Sequence, residues 1–311
     1  MKISVAIPTH ERARYLKSCL ESVLNQTLLP DEIIVSEDGE DPETLEVISR
    51  LLHRGTTIRH IRNAVPLLQL ANRQQALQMT SGDYVAMLDD DDQWEPTFLE
   101  RTSAVLSRHQ ECGFCTTDHF IMDDRGDILS PETEQASKRF GRTLMRSGVY
   151  DDVLLRVLDT CPFSLQHTLF RRDILQRVGF LQTYGKYVPD FVLFATLGAH
   201  RVKAYYIAER LGRYRVHGGQ QTVNRIENSD SKLESLEMLH RGYSAVLSED
   251  ERQALEKLYI AQIIEVAVAR AHLPDRWGAI NVLGKIFRFG FGFPPIKRLL
   301  ALGAVLTGVA R

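Results

Sequence analysis

Four consecutive aspartates, Asp89 to Asp92, follow directly on the apolar segment 84–88. Neighbouring carboxylates repel one another, and each raises the pKa of the next, so the run costs free energy unless a cation offsets it. Mg²⁺ and Mn²⁺ prefer oxygen ligands and commonly work beside phosphate groups. The run therefore predicts a divalent-cation site for nucleotide or phosphate chemistry. The alternative is a solvated acidic turn that caps a helix beginning near Pro96.

The elements that must position these aspartates follow a regular order. The strands are predicted at 3–7, 33–35, 58–61, 84–88 and 113–117, and the helices at 14–26, 43–52, 68–79 and 96–107. This alternation predicts an α/β fold with a mostly parallel, Rossmann-like sheet flanked by helices. Ligands bind such sheets at the carboxyl ends of the strands. The polar segments 8–11, 36–41 and 89–92 should therefore meet at one edge of the sheet.

After residue 121 the alternation loosens. A helix is predicted over 142–158, a last strand over 202–208, and helical structure from about residue 231 to the end. We therefore expect one domain with two halves, 1–120 and 121–225. A helical C-terminal extension, 226–311, should follow it.

The segment 270–311 is rich in positive charge. Seven of its residues are basic, one is acidic, and five aromatic residues lie between them. Such a segment suits peripheral docking to an anionic membrane face. A helical subdomain that packs on the core, or that forms a homo-oligomer contact, fits the same composition. The apolar run 299–310 would span about 18 Å as a helix, which is too short to cross a hydrocarbon core of about 30 Å.

The overall composition is that of a globular protein, with 44% hydrophobic residues and a net charge of −2. This charge gives no basis for nucleic-acid binding. Two of the four cysteines, Cys112 and Cys115, have the spacing of a zinc-site pair, but no second pair of cysteines or histidines completes such a site. The N-terminus lacks the pattern of a cleavable signal, so we expect a cytoplasmic location, at the inner membrane face if the basic segment docks there.

Four motifs follow one another along the first part of the chain. Residues 4–12 are Ser-Val-Ala-Ile-Pro-Thr-His-Glu-Arg, residues 32–39 are Glu-Ile-Ile-Val-Ser-Glu-Asp-Gly, Arg73 precedes Gly82 by nine positions, and residues 82–92 end in the aspartate run. Their order and spacing resemble the family 2 inverting glycosyltransferases. The resemblance is close up to residue 120 and looser up to residue 220. It implies the GT-A fold and a nucleotide-diphospho-sugar donor.

The resemblance implies a metal role for the aspartate run. Asp89 and Asp91 take the outer positions of the family's D-x-D signature, so Asp91 is expected to ligate Mn²⁺ or Mg²⁺ on the donor diphosphate. Asp89 or Asp90 would then hold the ribose hydroxyls or a metal-bound water, and Asp89 is included among the candidate metal ligands. A bound cation offsets the diphosphate charge and helps the diphosphate to leave.

The resemblance also implies nucleotide contacts beside the strand ends. The candidates are Pro8, Thr9 and Glu11 after the first strand, Asp38 at the pyrimidine N–H, and Arg73 at phosphate or ribose oxygens. The pair His10-Glu11 departs from the commoner Tyr-Asn, which concerns the base contact. In other interpretations, Thr9 caps a helix, Asp38 forms a plain turn and Arg73 is a solvated helix residue.

Two further residues are assigned by the same resemblance. Asp190, in Tyr-Val-Pro-Asp-Phe, matches the aspartate that takes the proton of the acceptor hydroxyl, although Pro189 replaces the usual glutamate. His217 matches a histidine that completes the metal or diphosphate site. The alternatives are an N-cap for Asp190 and an ordinary surface position for His217.

The expected function is transfer of a sugar, with inversion, from a UDP- or dTDP-linked donor to a hydroxyl of a glycan or lipid-linked acceptor. Bacterial surface-polysaccharide synthesis is the setting that the family and the basic segment suggest. A protein that binds nucleotide sugars without turnover is the non-enzyme alternative. A sugar-nucleotide pyrophosphorylase shares the architecture but needs a Gly-rich loop after the first strand, where this chain has Pro-Thr-His-Glu-Arg.

Overall fold

Nine β-strands form one mixed sheet in the part of the chain that the computed structural model describes, residues 1–51, 55–182, 186–218, 225–271 and 282. The strands are β1 Ile3–Thr9, β2 Glu32–Asp38, β3 Thr57–Asn63, β4 Tyr84–Met87, β5 Gln93–Trp94, β6 Cys112–Met122, β7 Gly148–Tyr150, β8 Thr168–Arg171 and β9 Lys203–Arg215. Their order across the sheet is β3-β2-β1-β4-β8-β6-β9-β5, and β7 lies beside β9.

The first four strands in this order are parallel. β1 pairs with β2 and with β4, and β2 pairs with β3, all in the parallel sense. β8 then lies antiparallel between β4 and β6, while β6 and β9 are parallel. The strands β5 and β7 pair antiparallel with β9. The predicted parallel sheet is therefore confirmed for its first half, and its second half is mixed.

Helices connect the strands and cover the sheet. They are α1 Ala13–Leu24, α2 Pro42–Leu51, α3 Gln69–Gln78, α4 Phe98–Arg108, α5 Ser130–Arg139, α6 Val153–Asp159, α7 Arg172–Arg177, α8 Pro189–Ala199, α9 Arg225–Tyr243 and α10 Glu249–Ala271. In α1, the residues Leu16, Cys19, Leu20 and Val23 are fully buried. This spacing places them on one helix face, which packs in the same core as the buried residues of β1.

The single helix predicted over 142–158 is wrong. The chain instead forms a short 3₁₀ turn at Arg142–Leu144, then β7, then α6. β7 pairs with the start of β9, with Val149 opposite Tyr205 and Tyr150 opposite Ala204. Valine and tyrosine fit a pleated surface, and this pairing overrides the helical spacing of the apolar residues. The strand predicted over 202–208 is longer than expected and continues as β9 to Arg215.

Close contacts divide the chain into two units. One consists of Met1–Thr183 and Val192–Gln220 and contains the sheet; the other consists of Tyr184–Phe191 and Gln221–Arg311. In the second unit, α9 and α10 pack together through buried residues such as Leu236 and Ile263. None of the helices within the described residues is both long and apolar enough to span a bilayer. Except for residues 270, 271 and 282, the basic segment lies outside the described residues, and the predicted boundaries at 120 and 225 stay predictions.

A buried ion pair holds the end of β2 against β3. The Glu37 side chain is fully buried, and it accepts hydrogen bonds from Arg62 Nε at 3.0 Å and from the Asp41 amide at 3.1 Å, with His60 Nε2 at 2.8 Å. Burial alone raises the pKa of the Glu37 carboxyl, but these hydrogen bonds outweigh it, so the net pKa lies below its usual value.

Replacing Glu37 with glutamine should therefore destabilise the fold at neutral pH. We expect a loss of about 2 kcal/mol in the free energy of unfolding, because glutamine carries no charge for Arg62 and has a single acceptor oxygen, so its NH2 group would face either the donors of Arg62 and His60 or the Asp41 N–H. A lowered native pKa means that the carboxylate's contribution is present above the unfolded pKa and is lost as the pH falls through the native one. Urea unfolding should thus show a large difference between parent and E37Q at pH 7 that shrinks below about pH 4. A difference that stays constant with pH would contradict this assignment.

Candidate active site

The ends of β1, β2 and β4 meet at one edge of the sheet, as the sequence predicts. Thr9, the last residue of β1, donates its hydroxyl to Asp90 Oδ2 at 2.7 Å. Asn72 of α3 donates its amide to the carbonyls of Thr9 and Ser36, at 3.3 and 3.0 Å. One helix side chain therefore fixes the ends of two neighbouring strands beside the aspartate run.

Asp89 lies in a tight clamp. The Arg73 guanidinium donates from Nε to Asp89 Oδ1 at 3.1 Å and from Nη2 to Oδ2, which gives a two-pronged ion pair. Gln166 adds a third hydrogen bond, from Nε2 to Oδ2 at 2.7 Å. The Arg73 side chain is only 11% exposed, so the alternative of a solvated helix residue does not describe it. Its contact with a nucleotide stays a prediction.

Asp90 and Asp91 both form ion pairs with the guanidinium group of Arg12. Arg12 Nη1 lies 2.8 Å from Asp91 Oδ2 and 3.4 Å from Asp90 Oδ1. His217 Nε2 lies 3.0 Å from the same Asp91 oxygen, and the ring of His217 packs on Tyr15 with centroids 5.2 Å apart. His217, which follows the C-terminal end of β9, thus lies beside Asp91, and the His217 side chain is 9% exposed.

Asp92 faces inward. Its Oδ1 accepts the backbone N–H of Arg215 at 2.8 Å, whereas its Oδ2 is buried and has no hydrogen-bond partner within the described part of the chain. The Arg215 side chain donates to the Asp91 carbonyl at 2.7 Å and to the carbonyls of Asp123 and Asp124 at 3.0 and 3.1 Å. Arg215 therefore ties the end of β9 and the turn after β6 to the aspartate run.

Burial raises the affinity of this cluster for protons. For Asp90, burial and then the charge of Asp91 raise the pKa to about 7, although Arg12 and the Thr9 hydroxyl lower it. For Asp92, burial and the charges of Asp91 and Asp89 raise the pKa well above its ordinary value. Close carboxylates that cannot all be ionised together are the state that a divalent cation relieves.

The donor set fits a hard divalent ion. Asp89, Asp91 and Asp92 each offer a carboxylate oxygen, and these three oxygens lie within 4.8 Å of one another. Carboxylate oxygens are the ligands that Mg²⁺ and Mn²⁺ prefer, and these ions commonly take one or two carboxylates with phosphates and water completing the shell. Among the described residues Asp92 Oδ2 has no hydrogen-bond partner, which leaves this oxygen available to a cation. The solvated acidic turn does not describe the run, because Asp90, Asp91 and Asp92 are all buried.

Asp38 organises the loop before α3. Its carboxylate accepts the backbone N–H groups of Leu67 and Leu68 at 2.6 and 2.9 Å, and the Asn63 side-chain amide at 3.2 Å. Leu68 has a φ of +70°, in the left-handed region that leucine rarely adopts, and these bonds hold it there. Because Oδ2 accepts a single one of these bonds, it keeps a lone pair for the predicted contact with a base.

The other residues predicted after β1 occupy different environments. Pro8 is buried within β1, and Glu11 is exposed with a φ of +50° at the turn into α1. The ring of His10 contacts the carbonyl of Asp38, which joins the ends of β1 and β2. The predicted base contacts of Pro8, Thr9 and Glu11 stay predictions.

Asp190 belongs to the other unit of the chain. It is the second residue of α8 and is half-buried, so it lies inside the first helical turn and not before it as an N-cap. A carboxylate in the first turn of a helix interacts favourably with the helix dipole. Its assignment as the catalytic base stays a prediction.

Sequence reasoning missed four side chains of the cluster, namely Arg12, Tyr15, Gln166 and Arg215, and it gave Asp92 no role of its own within the aspartate run. Arg12 ends the first motif and could have been found, because a lone arginine beside the end of β1 is a natural partner for the run. Gln166 gave no such signal: it lies 77 positions from Asp89 and reaches it through the antiparallel insertion of β8.

Comparison with known proteins agrees with this architecture. The model of glycosyl transferase family 2 matches residues 4–179. The GalNAc(5)-diNAcBac-PP-undecaprenol beta-1,3-glucosyltransferase of Campylobacter jejuni is 26% identical over 219 residues, which are 69% of this chain and 65% of that protein. Other curated relatives are much longer, and the chain spans 10% of the length of two of them.

Two solved structures share the fold. Staphylococcus aureus TarS 1–349 in complex with UDP-GlcNAc superposes with a TM-score of 0.69 at 16% identity, over 92% of this chain and 80% of that one. The mannosyltransferase PcManGT of Pyrobaculum calidifontis, in complex with GDP-Man and Mn²⁺, gives 0.62 at 17% identity, over 98% and 80%. With a family match over more than half of its length and a GT-A sheet that carries the aspartate run at its edge, the chain belongs to glycosyl transferase family 2.

Proposed function

We propose that this glycosyltransferase moves a sugar from a nucleotide-diphospho-sugar to a hydroxyl of a glycan or lipid-linked acceptor, with inversion at the anomeric carbon. UDP- or dTDP-linked sugars are the donors that we favour. The observation that carries the proposal is the convergence of Arg12, Arg73 and His217 on a buried aspartate run at the end of β4.

The donor half of the proposal rests on charge. A nucleoside diphosphate brings negative charge into a site that already contains four carboxylates, so cations must accompany it. Asp91 and one neighbouring aspartate would hold Mn²⁺ or Mg²⁺, which when bound offsets the diphosphate charge as that group leaves. The Arg12 and Arg73 guanidinium groups lie on the same cluster and present planar donors suited to phosphate and ribose oxygens. Binding of UDP-GlcNAc by TarS and of GDP-Man with Mn²⁺ by PcManGT supports this assignment.

The nucleoside would lie along the ends of β1 and β2. Thr9 and Asp38 are both buried side chains at these strand ends, next to Pro8 within β1 and to Glu11 at the turn into α1. The spare lone pair of Asp38 Oδ2 suits a donor N–H of a pyrimidine ring. Arg73, clamped on Asp89, would orient Asp89 toward the ribose hydroxyls.

Asp190 is the proposed base. In a single displacement, the acceptor hydroxyl oxygen forms a bond to the anomeric carbon while the bond from that carbon to the diphosphate oxygen breaks. The hydroxyl proton passes to the Asp190 carboxylate, and the nucleoside diphosphate leaves with the electron pair. Attack from the face opposite the leaving group inverts the configuration.

The acceptor and the setting rest on relatives. The undecaprenol-linked substrate named for the Campylobacter jejuni enzyme supports a lipid-linked acceptor and a role in bacterial surface-glycan assembly. A location in the cytoplasm, at the inner membrane face, would bring the enzyme to such an acceptor. Docking through the basic segment 270–311 and homo-oligomer formation are parts of the same proposal.

A thermal-shift panel tests donor and metal together. Ligands that bind the native state alone raise the melting temperature, by about 5 °C at a ligand concentration near 100 times Kd. We expect UDP or dTDP to raise it when Mn²⁺ is present and not when Mn²⁺ is absent. A shift with adenine nucleotides alone would overturn the proposed donor.

Turnover separates an enzyme from a binding protein. The protein should release the nucleoside diphosphate from one sugar nucleotide of a donor panel, to an acceptor or slowly to water. If neither hydrolysis nor transfer occurs with any donor that shifts the melting temperature, the chain binds nucleotide sugars without turnover.

A further inference from the structure

One oxygen of the aspartate run differs from all the others. Asp92 is 1% exposed, and its Oδ2 has no hydrogen-bond partner among the residues that the structure describes, although Oδ1 accepts the Arg215 N–H at 2.8 Å. An anionic oxygen that is removed from water and left without a donor is costly. Such an atom in a native site requires an explanation, and an ion that binds there is one that also fits the neighbouring carboxylates.

The remaining three aspartates are already provided with donors. Asp89 receives three hydrogen bonds, two from Arg73 and one from Gln166. Asp90 is held by the Thr9 hydroxyl and Arg12, and Asp91 by Arg12 and His217. For Asp89 to ligate a cation, it would have to give up part of a guanidinium clamp whose geometry matches a carboxylate on both oxygens.

We propose that Asp92 is a direct ligand of the divalent cation, together with Asp91, and that Asp89 stays outside the coordination shell in its clamp. This assignment rests on the proposed function and replaces Asp89 by Asp92 among the predicted metal ligands, which were Asp89, Asp91 and His217. One carboxylate oxygen of Asp91 and one of Asp92 lie within 4.8 Å of each other. Two ligands on one octahedral ion with bonds of about 2.1 Å lie roughly 3 to 4 Å apart, so small side-chain rotations bring both onto one cation.

The two roles follow from the elements that hold each residue. Asp89 is fixed by α3 and by the turn before β8, through Arg73 and Gln166, and can therefore orient a substrate group rigidly. Asp92 is fixed by β9 through the Arg215 N–H, and Arg215 in turn donates to the carbonyl of Asp91. A cation on Asp91 and Asp92 would thus be supported from β9, the strand that also delivers His217.

Asp92→Asn tests the assignment by metal binding alone. Asparagine keeps an oxygen for the Arg215 N–H and puts an NH2 group, which offers no lone pair to a cation, in place of the second carboxylate oxygen. We expect Mn²⁺ affinity, measured from the electron paramagnetic resonance signal of free Mn²⁺ with and without UDP, to fall by at least about tenfold. Glu95→Gln is the matched control: it removes one carboxylate three residues further on, where Glu95 pairs with Arg213 at 2.6 Å, and should leave the affinity within about twofold. Unchanged Mn²⁺ affinity in D92N would overturn the assignment.

Asp92→Cys distinguishes a ligand from a nearby charge. A thiolate is a soft ligand, so D92C should bind Cd²⁺ and show the ultraviolet absorption of a cadmium–thiolate bond above the background of the parent protein, while E95C should not. Absence of this band in folded D92C overturns direct ligation, and this spectrum also decides the question if D92N does not fold. If the parent protein itself binds no Mn²⁺ even with UDP, the metal part of the proposed function fails, which is a separate result.

Discussion

Replacing Asp91 with asparagine should lower the rate of sugar transfer by about a thousandfold at saturating donor and Mn²⁺. The reason is that the Asp91 carboxylate is the proposed ligand of the divalent cation and also binds Arg12 and His217. Asp91 Oδ2 is the meeting point of Arg12, at 2.8 Å, and His217, at 3.0 Å. An asparagine oxygen can still accept from Arg12 and His217, but it carries no formal charge for a cation. Initial rates of nucleoside diphosphate release, with Mn²⁺ varied, measure the loss.

The matched control for Asp91→Asn lies at the opposite end of the same strand. Asp83 precedes β4 as Asp91 follows it, and its side chain is 68% exposed, so D83N should retain the parental rate. Circular dichroism should show that D91N keeps the parental fold, since Asp91 lies at the sheet edge. A D91N protein that retains more than about a tenth of the parental rate would contradict an essential role for this carboxylate.

The first half of the fold was predictable because its signals are local and periodic. In α1 and β1, the apolar spacing of each element matches the face that it buries, so the alternation of strands and helices could be read directly from the chain. Parallel pairing then follows from the helical crossovers between strands. The meeting of the three polar segments at one edge required no further information.

The second half was less predictable because its order depends on long-range pairing. β8 inserts antiparallel between β4 and β6, and β7 pairs with β9 over more than fifty intervening residues. No local pattern encodes these neighbours. The helix expected over 142–158 was wrong for the same reason: the stability of β7 comes from β9 and not from its own sequence.

The site divides in the same way. The aspartate run, Arg73 and His217 were found from their motifs, and the structure places all of them together. The motifs could not show which carboxylate oxygens already accept hydrogen bonds from other side chains. The clamp of Gln166 on Asp89 and the unpartnered oxygen of Asp92 become visible when side chains from β9 and from the turn before β8 are in place.

Replacing Asp190 with asparagine should lower the transfer rate by about a thousandfold while donor binding survives, because a general base contributes roughly 10² to 10⁴ in rate and does not hold the nucleotide. The expected signature is a fall in kcat at nearly constant KM for the donor, with the UDP-induced thermal shift unchanged. Asp190→Glu, which keeps a carboxylate, should restore part of the rate. These readings separate Asp190 from Asp91, whose loss should weaken metal-dependent nucleotide binding as well.

The alternative role of Asp190 is structural: its negative charge stabilises the start of α8 through the helix dipole. A second aspartate in an equivalent position allows this role to be distinguished from that of a catalytic base. Asp173 is the second residue of α7, just as Asp190 is the second residue of α8, and it is exposed. Loss of a charge in a first helical turn costs about 0.3 to 1 kcal/mol, so D173N and D190N should both lose a little stability in urea unfolding. D190N alone should lose transfer. Equal rates in the two variants would leave Asp190 a structural residue, and the proton of the acceptor would have to go to another group.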